Sequence, residues 1–258
     1  MRIIAGPCQH ENLEHSLNIA ENCARICSKY GVDYYFKASY DKANRTSATG
    51  QRGQGLAKTM QDFRQLKQQL PGLKILTDVH DVSQIAEITE HYNDCVDVLQ
   101  IPAFLCRQTD LIAAAVASGK IVNIKKGQFL APWDVKGILS KTDAAKEVWI
   151  TERGTSFGYN NLVVDFTGLQ YMLSEYTCPV VYDVTHSVQR PGGNGTSSGG
   201  NREYVPGLAR AAAALGITNF FLEVHPDPNN APSDGANMLK LNDFEQVVSD
   251  ICKYSYTG

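Results

Sequence analysis

The chain has 258 residues, 43% of them hydrophobic and 20% charged, enough for a sizeable buried core and a poor fit to disorder or a coiled coil. Lys and Arg number 24 against 27 Asp and Glu, a formal charge of −3 that speaks against nonspecific nucleic-acid or anionic-membrane binding. No apolar run approaches the roughly 18 residues of a membrane span, and the opening MRIIAGPC turns polar at Gln9, His10 and Glu11, too soon for an export signal.

In chain order, short β-branched or aromatic runs alternate with amphipathic stretches. Strands are predicted at 3–5, 34–38, 74–78, 96–101, 121–125, 147–151, 180–184 and 219–224. Helices are predicted between and after them, at 14–29, 55–69, 83–91, 109–117, 135–141, 168–175, 203–215 and 243–253. Strict alternation calls for parallel strands joined by crossover helices. Several strands are continuously apolar, as expected when both faces are covered. The pattern predicts a single-domain α/β fold spanning 1–258, a (β/α)₈ TIM barrel. An open doubly wound sheet would want G-x-G-x-x-G after the first strand, and residues 6–11 read GPCQHE. The Gly-rich stretch 192–200 follows strand seven; it reads either as a mobile surface loop or as a lid over the catalytic face.

Catalytic residues of such a barrel come from the C-terminal strand ends, and those ends here are unusually polar. They offer Lys37, Lys42, Arg45, Asp78, His80, Gln100, Lys125, Lys126, Glu152, Arg153, Asp183, His186, Glu223 and His225, with Asp234 in the last loop. Five cations, Lys37, Lys42, Arg45, Lys125 and Arg153, suit a substrate with several phosphate or carboxylate groups. The alternative is internal salt bridging to Asp78, Glu152 and Asp183. Cys8, His186, Glu223 and Asp234 come from strands one, seven and eight, neighbours once the barrel closes. Their mixed S, N and O donors suit a divalent transition metal such as zinc, iron or manganese. The other cysteines, in a chain with no export signal, read as reduced thiols in a cytoplasmic protein, most of them small core residues.

The motifs AGPC (5–8), FKASYDKANRTS (36–47), TDVH (77–80), QIPAFLCRQTDL (100–111), NIKKGQFLAPWD (123–134), TERGTSFGYNNLVVDF (151–166), DVTHSVQRPGG (183–193) and EVHPDPNNAPSDG (223–235) together resemble the 3-deoxy-D-manno-octulosonate 8-phosphate synthases. The likeness runs nearly end to end. It implies a homotetrameric barrel that condenses phosphoenolpyruvate with arabinose 5-phosphate and releases phosphate. It implies that Lys37, Lys42, Lys125 and Arg153 hold phosphoenolpyruvate, with Gln100 and the Ala103 backbone nearby. Asn44, Arg45 and Thr46 would bind the sugar phosphate, and Arg107 would reach the sugar phosphate of a neighbouring subunit. Lys42, Asp78, His80 and His186 are the candidate catalytic groups, and Cys8, His186, Glu223 and Asp234 match the ligands of the metal-dependent class. Ser233 also fits that class, whereas Gly235 after Asp234 is shared with metal-free members. The related heptulosonate 7-phosphate synthases carry Lys-Pro-Arg-Thr where this chain has Lys42-Ala43-Asn44-Arg45, which favours the five-carbon sugar.

Overall fold

The residues 33–37, Asp-Tyr-Tyr-Phe-Lys, show how one strand serves two surfaces. Phe36 packs outward into the main core, while Tyr35 and Lys37 point to the opposite side because successive side chains alternate faces. The computed structural model, which describes all residues except 46, 48, 194, 196, 197 and 256–258, repeats this arrangement around a ring. Eight parallel strands form it: β1 (Arg2–Gly6), β2 (Asp33–Lys37), β3 (Lys74–Asp78), β4 (Val98–Ile101), β5 (Ile121–Lys125), β6 (Val148–Glu152), β7 (Val180–Asp183) and β8 (Asn219–His225). Each pairs with the next in sequence, and β8 closes onto β1 with Ile4 opposite Phe221. The expected (β/α)₈ barrel is therefore the observed fold.

Around it run α1 (Leu13–Lys29), α2 (Leu56–Gln69), α3 (Val82–His91), α4 (Thr109–Ala117), α5 (Val135–Leu139), α6 (Phe166–Glu175), α7 (Val205–Leu215) and α8 (Phe244–Tyr254). Asn12, Asp81 and Asp165 cap α1, α3 and α6 by accepting backbone N–H groups. The helices bury residues such as Ile19, Phe63, Ile88, Ile112, Leu169 and Val248 against the outward faces of the strands. Among the described residues no helix is long and apolar enough to cross a membrane.

Some boundaries differ from the sequence reading. Strand four begins at Val98, not 96, because Asp97 turns its carboxylate onto the Ile75 N–H at 2.7 Å. The seventh outer helix begins at Val205 rather than 203, after a 3₁₀ turn over Arg202–Tyr204, with Pro206 in its first turn, where no N–H is needed. In the Gly-rich stretch, Gln189–Arg190 pairs antiparallel with Gly199–Gly200, so the base of that loop is a short ribbon.

Inside the barrel the side chains stack in layers. The lower layer is apolar: Ile4, Tyr35, Leu76, Val98, Trp149, Val181 and Phe221. Two residues further along the strands, the same inward direction carries Lys37, Asp78, Gln100, Thr151, Asp183 and Glu223, all buried. The polar floor of the mouth is thus a direct result of strand periodicity. Gly6 ends β1 where a Cβ would lie 2.1 Å from the Lys37 carbonyl oxygen, so β1 and β2 approach more closely there than any side chain would permit.

Candidate active site

A cleft of about 640 Å³ opens at the C-terminal end of the barrel. Lys37, Lys125 and Arg153 reach its floor with relative exposures of 2%, 4% and 8%. Charges this enclosed need partners, and each has one. Lys37 donates to Glu223 Oε1 at 3.1 Å, Lys125 donates to Asp183, and Arg153 donates to Gln189 Oε1 at 2.9 Å. Internal salt bridging thus accounts for Lys37 and Lys125 in the absence of a ligand, though Lys37 takes Glu223 as partner. Burial pulls the Lys125 pKa down to about 8, although Asp183 opposes that shift. Lys42 donates to Ser39 Oγ at 2.9 Å. Burial disfavours its charge, but the surrounding Asp78, Glu223 and Asp234 carboxylates outweigh burial and raise its pKa.

Asp78 and His80 face this cation group. His80 Nε2 lies 2.9 Å from Asp78 Oδ2, while Asp78 Oδ1 and His80 Nδ1 are buried without a hydrogen-bond partner among the described residues. Burial works against the Asp78 charge, yet the His80 hydrogen bond and the Lys42 ammonium hold its carboxyl far below the usual range. Two polar atoms left unsatisfied beside a cleft are acceptors and donors available to a ligand.

Under the same floor lie the four expected metal ligands. The Cys8 thiol, a Glu223 oxygen and an Asp234 oxygen fall within 4.8 Å of one another. His186 Nε2 sits 3.6 Å from Glu223 Oε2 and 3.6 Å from Asp234 Oδ2. His186 Nδ1 lies 2.7 Å from Asp183 Oδ2, which fixes the ring and turns Nε2 toward the other ligands. Glu223 Oε2 is buried and has no hydrogen-bond partner among the described residues. The Cys8 sulfur and the two carboxylates, one of them bearing the orphaned Glu223 oxygen, with the His186 imidazole beside both carboxylates, make a donor set that fits a divalent transition metal. Without such an ion, burial and then the Glu223 charge push the Cys8 thiol pKa well up, so it remains protonated and points to Ser233 Oγ at 3.2 Å and Asp234 Oδ2 at 3.3 Å. Gly235 has a structural explanation independent of metal class: a Cβ there would come 2.1 Å from the Pro228 carbonyl oxygen.

The structure brings most of the expected residues together. Asn44, Arg45, Gln100 and Ala103 line the cleft with the groups above, and Cys8 and Glu223 lie buried. Arg45 ties the loop after β2 to the rest of the mouth, donating to Gln9 Oε1 and to the Pro232 and Gln51 carbonyls. Thr46 lies outside the described residues. Arg107 is exposed and does not line this cleft. Three polar strand ends have other duties. Lys126 pairs with Glu152 at 3.3 Å and donates to the Leu130 carbonyl, and His225 pairs with Glu11 at 2.8 Å.

Sequence reasoning assigned no role to Gln189 or Arg202. Gln189 links Arg153 to Asp234, and Arg202 lines the cleft and donates to Asn229 Oδ1 and the Gly235 carbonyl. Gln189 carries no helical-spacing signal, because it lies beyond the Val184–Ser187 turn, in the short strand Gln189–Arg190. Arg202 carries no such signal, because a loop fold-back positions it.

Comparison with known proteins agrees with this geometry. The model of the DAHP synthetase I family matches residues 1–255. A Bradyrhizobium diazoefficiens protein named 2-dehydro-3-deoxyphosphooctonate aldolase is 53% identical over 248 residues, 95% of this chain and 86% of its own length. Proteins of the same name from Caulobacter vibrioides and Rhodopseudomonas palustris (strain ATCC BAA-98 / CGA009) are 53% and 52% identical over 256 residues, each covering 98% of this chain and 87% or 88% of their own. A match of this extent, on a barrel whose mouth holds the expected cations, places the chain in the DAHP synthetase I family.

Proposed function

We propose that this chain is a 3-deoxy-8-phosphooctulonate synthase. It condenses phosphoenolpyruvate with D-arabinose 5-phosphate and water, giving 3-deoxy-D-manno-octulosonate 8-phosphate and phosphate for lipopolysaccharide or related cell-wall sugars. The deoxyphosphooctonate in the relatives' name agrees with this product. The observation that carries the reading is the group of buried cations Lys37, Lys125 and Arg153 on one cleft floor, with Asn44 and Arg45 at the same mouth. Two anionic substrates repel each other, and fixed positive charge offsets that repulsion at both ends.

In this reading Lys37, Lys125 and Arg153 hold the carboxylate and phosphate of phosphoenolpyruvate, with Gln100 and the Ala103 backbone beside them. Its C3 attacks the sugar aldehyde, water adds at C2, and phosphate leaves by C–O cleavage. Lys42, kept charged by Asp78 and its neighbours, faces the developing oxyanion. His80, oriented by Asp78, is the group placed to hold or move a proton, and His186 keeps its Nδ1 proton on Asp183 while Nε2 faces the ion's other ligands. Cys8, His186, Glu223 and Asp234 would hold a divalent ion such as zinc, iron or manganese. That ion would supply Lewis-acid polarisation of a substrate or water oxygen.

A homotetramer with sites completed by Arg107 from a neighbour accords with the exposed aromatics Phe104, Phe129, Trp133, Phe157 and Tyr159 after β4, β5 and β6, on the same sector of the rim as Arg107. Seven unpaired cysteines accord with a reducing cytoplasm. The direct test is phosphate release from phosphoenolpyruvate with arabinose 5-phosphate or erythrose 4-phosphate, each with and without chelator. Release with the pentose alone, abolished by chelator, is expected. Release with the tetrose alone would overturn the substrate assignment, and full activity in chelator would overturn the metal.

A further inference from the structure

Lys37, Lys125 and Arg153 are each joined to the metal-ligand group by one or two hydrogen bonds. Lys37 reaches Glu223 Oε1 directly at 3.1 Å. Lys125 donates to Asp183 Oδ2, and the same oxygen lies 2.7 Å from His186 Nδ1. Arg153 donates to Gln189 Oε1 at 2.9 Å, and Gln189 Nε2 donates to Asp234 Oδ1 at 2.8 Å. The amide orientation of Gln189 follows from chemistry, because a guanidinium only donates and a carboxylate only accepts. Asp183 is wholly buried, and its other oxygen accepts the His186 N–H at 3.0 Å, so it has little freedom to turn away from either partner.

We infer that Asp183 and Gln189 are positioning residues that couple the two sites, so that a divalent ion and phosphoenolpyruvate each tighten the binding of the other. The inference rests on the substrate and metal reading above. With no divalent ion present, the charge of Lys37 and Lys125 is balanced by Glu223 and Asp183. An arriving anion must then compete with buried carboxylates for those ammonium groups. A divalent ion held by Cys8, His186, Glu223 and Asp234 balances the carboxylates itself and leaves the lysine charge to the cleft. Conversely, an anion that draws Lys37 and Lys125 toward it leaves Glu223 and Asp183 richer in negative charge. Thermodynamic linkage requires the two effects to be equal in size. Glu223 carries part of this directly. Asp183 and Gln189 carry the rest by holding one group from each site in one hydrogen-bonded unit.

The test uses intact enzyme and Co²⁺, whose thiolate and ligand-field absorption reports its site. Calorimetry gives the Kd of phosphoenolpyruvate without metal and with stoichiometric Co²⁺, and competition with a chromophoric chelator gives the Kd of Co²⁺ with and without phosphoenolpyruvate. Each ligand should tighten the other by about tenfold, by the same factor in both directions. Gln189→Leu should cut that factor to about threefold or less while its melting temperature stays near wild type. Asp183→Asn should likewise cut the factor; if it does not fold, Gln189→Leu still decides the matter. A factor below about twofold in wild-type enzyme, with both ligands bound, would overturn the coupling and leave the substrate and metal assignments standing. An undiminished factor in Gln189→Leu would remove Gln189 from the relay. Absence of a Co²⁺–thiolate band, or of any phosphoenolpyruvate binding, would instead overturn the underlying reading, and the coupling with it.

Discussion

Lys37 and Glu223 meet at 3.1 Å beneath the cleft, with side-chain exposures of 3% and 0%. An ion pair so enclosed stabilises the fold little compared with an apolar pair, but breaking it leaves one buried charge alone. Lys37→Ala should therefore lower folding stability by about 3–5 kcal/mol in denaturant unfolding. Lys37→Met combined with Glu223→Gln should restore most of that loss while activity stays absent. A double variant no more stable than Lys37→Ala would contradict this account.

Lys125→Ala and Arg153→Ala should impair phosphoenolpyruvate use far more than sugar-phosphate use. Loss of a cation from an enclosed anion site typically costs about 2–5 kcal/mol of binding when the anion stays unpaired. Calorimetry on the variants checks it, and affinity within about twofold of wild type would remove these residues from the anion site.

The pH dependence of the same step follows from Lys125, whose pKa burial brings down to about 8. Below that pH the ammonium is present before the anion arrives. Above it the free enzyme has lost the charge and must regain a proton on binding. The Kd for phosphoenolpyruvate should rise toward about tenfold per pH unit above pH 8, with proton uptake visible as buffer-dependent binding heat. Lys125→Arg, permanently charged, should abolish the break even if it binds less well.

Metal uptake should show the opposite proton traffic. The Cys8 thiol stays protonated because of burial and the Glu223 charge, so a divalent ion must displace its proton. We expect at least one proton released per ion bound, and affinity that falls by about tenfold or more per unit of acidification. His186→Ala should lower metal content and rate together. Cys8→Asn should retain some activity that chelator no longer affects. Full wild-type activity with no metal detectable by elemental analysis would contradict the assignment.

Arg107 is exposed on a single chain. If it serves a neighbour's sugar-phosphate site, Arg107→Ala should raise KM for arabinose 5-phosphate about tenfold or more, the loss of one charge-assisted contact. The KM for phosphoenolpyruvate should hold. Sedimentation should show a tetramer for both proteins, and a fully active monomer would contradict the shared site.

The barrel was legible in the sequence because alternation of short apolar runs with amphipathic helices has few other solutions. The site cations were legible for a related reason. In β2 and β7, residues two positions after an apolar inward residue must face the mouth, so Lys37 and Asp183 follow Tyr35 and Val181. Polarity at a strand end did not by itself identify a site residue. Lys126 and Glu152 satisfy one another and local loop groups instead. What stayed hidden depends on distance across the fold. The Gln189 bridge to Asp234 spans 45 residues and the Arg202 contact with Gly235 spans 33, and no local spacing encodes either.

The two interior layers have a consequence for how reliably this chain reaches its active form. Every strand except β1, which has Gly6 at the mouth position, carries its apolar plug residue and its polar mouth residue on the same parity, so a one-residue slip in pairing turns both outward at once. On β2 such a slip would send Tyr35 and Lys37 into the helix-facing core and bring Phe36 into the lumen. The slipped molecule would have a charge among aliphatic side chains and a missing ammonium at its mouth. Register errors in this barrel are therefore unstable and inactive for the same reason, so molecules that pass a stability threshold already have their mouth assembled.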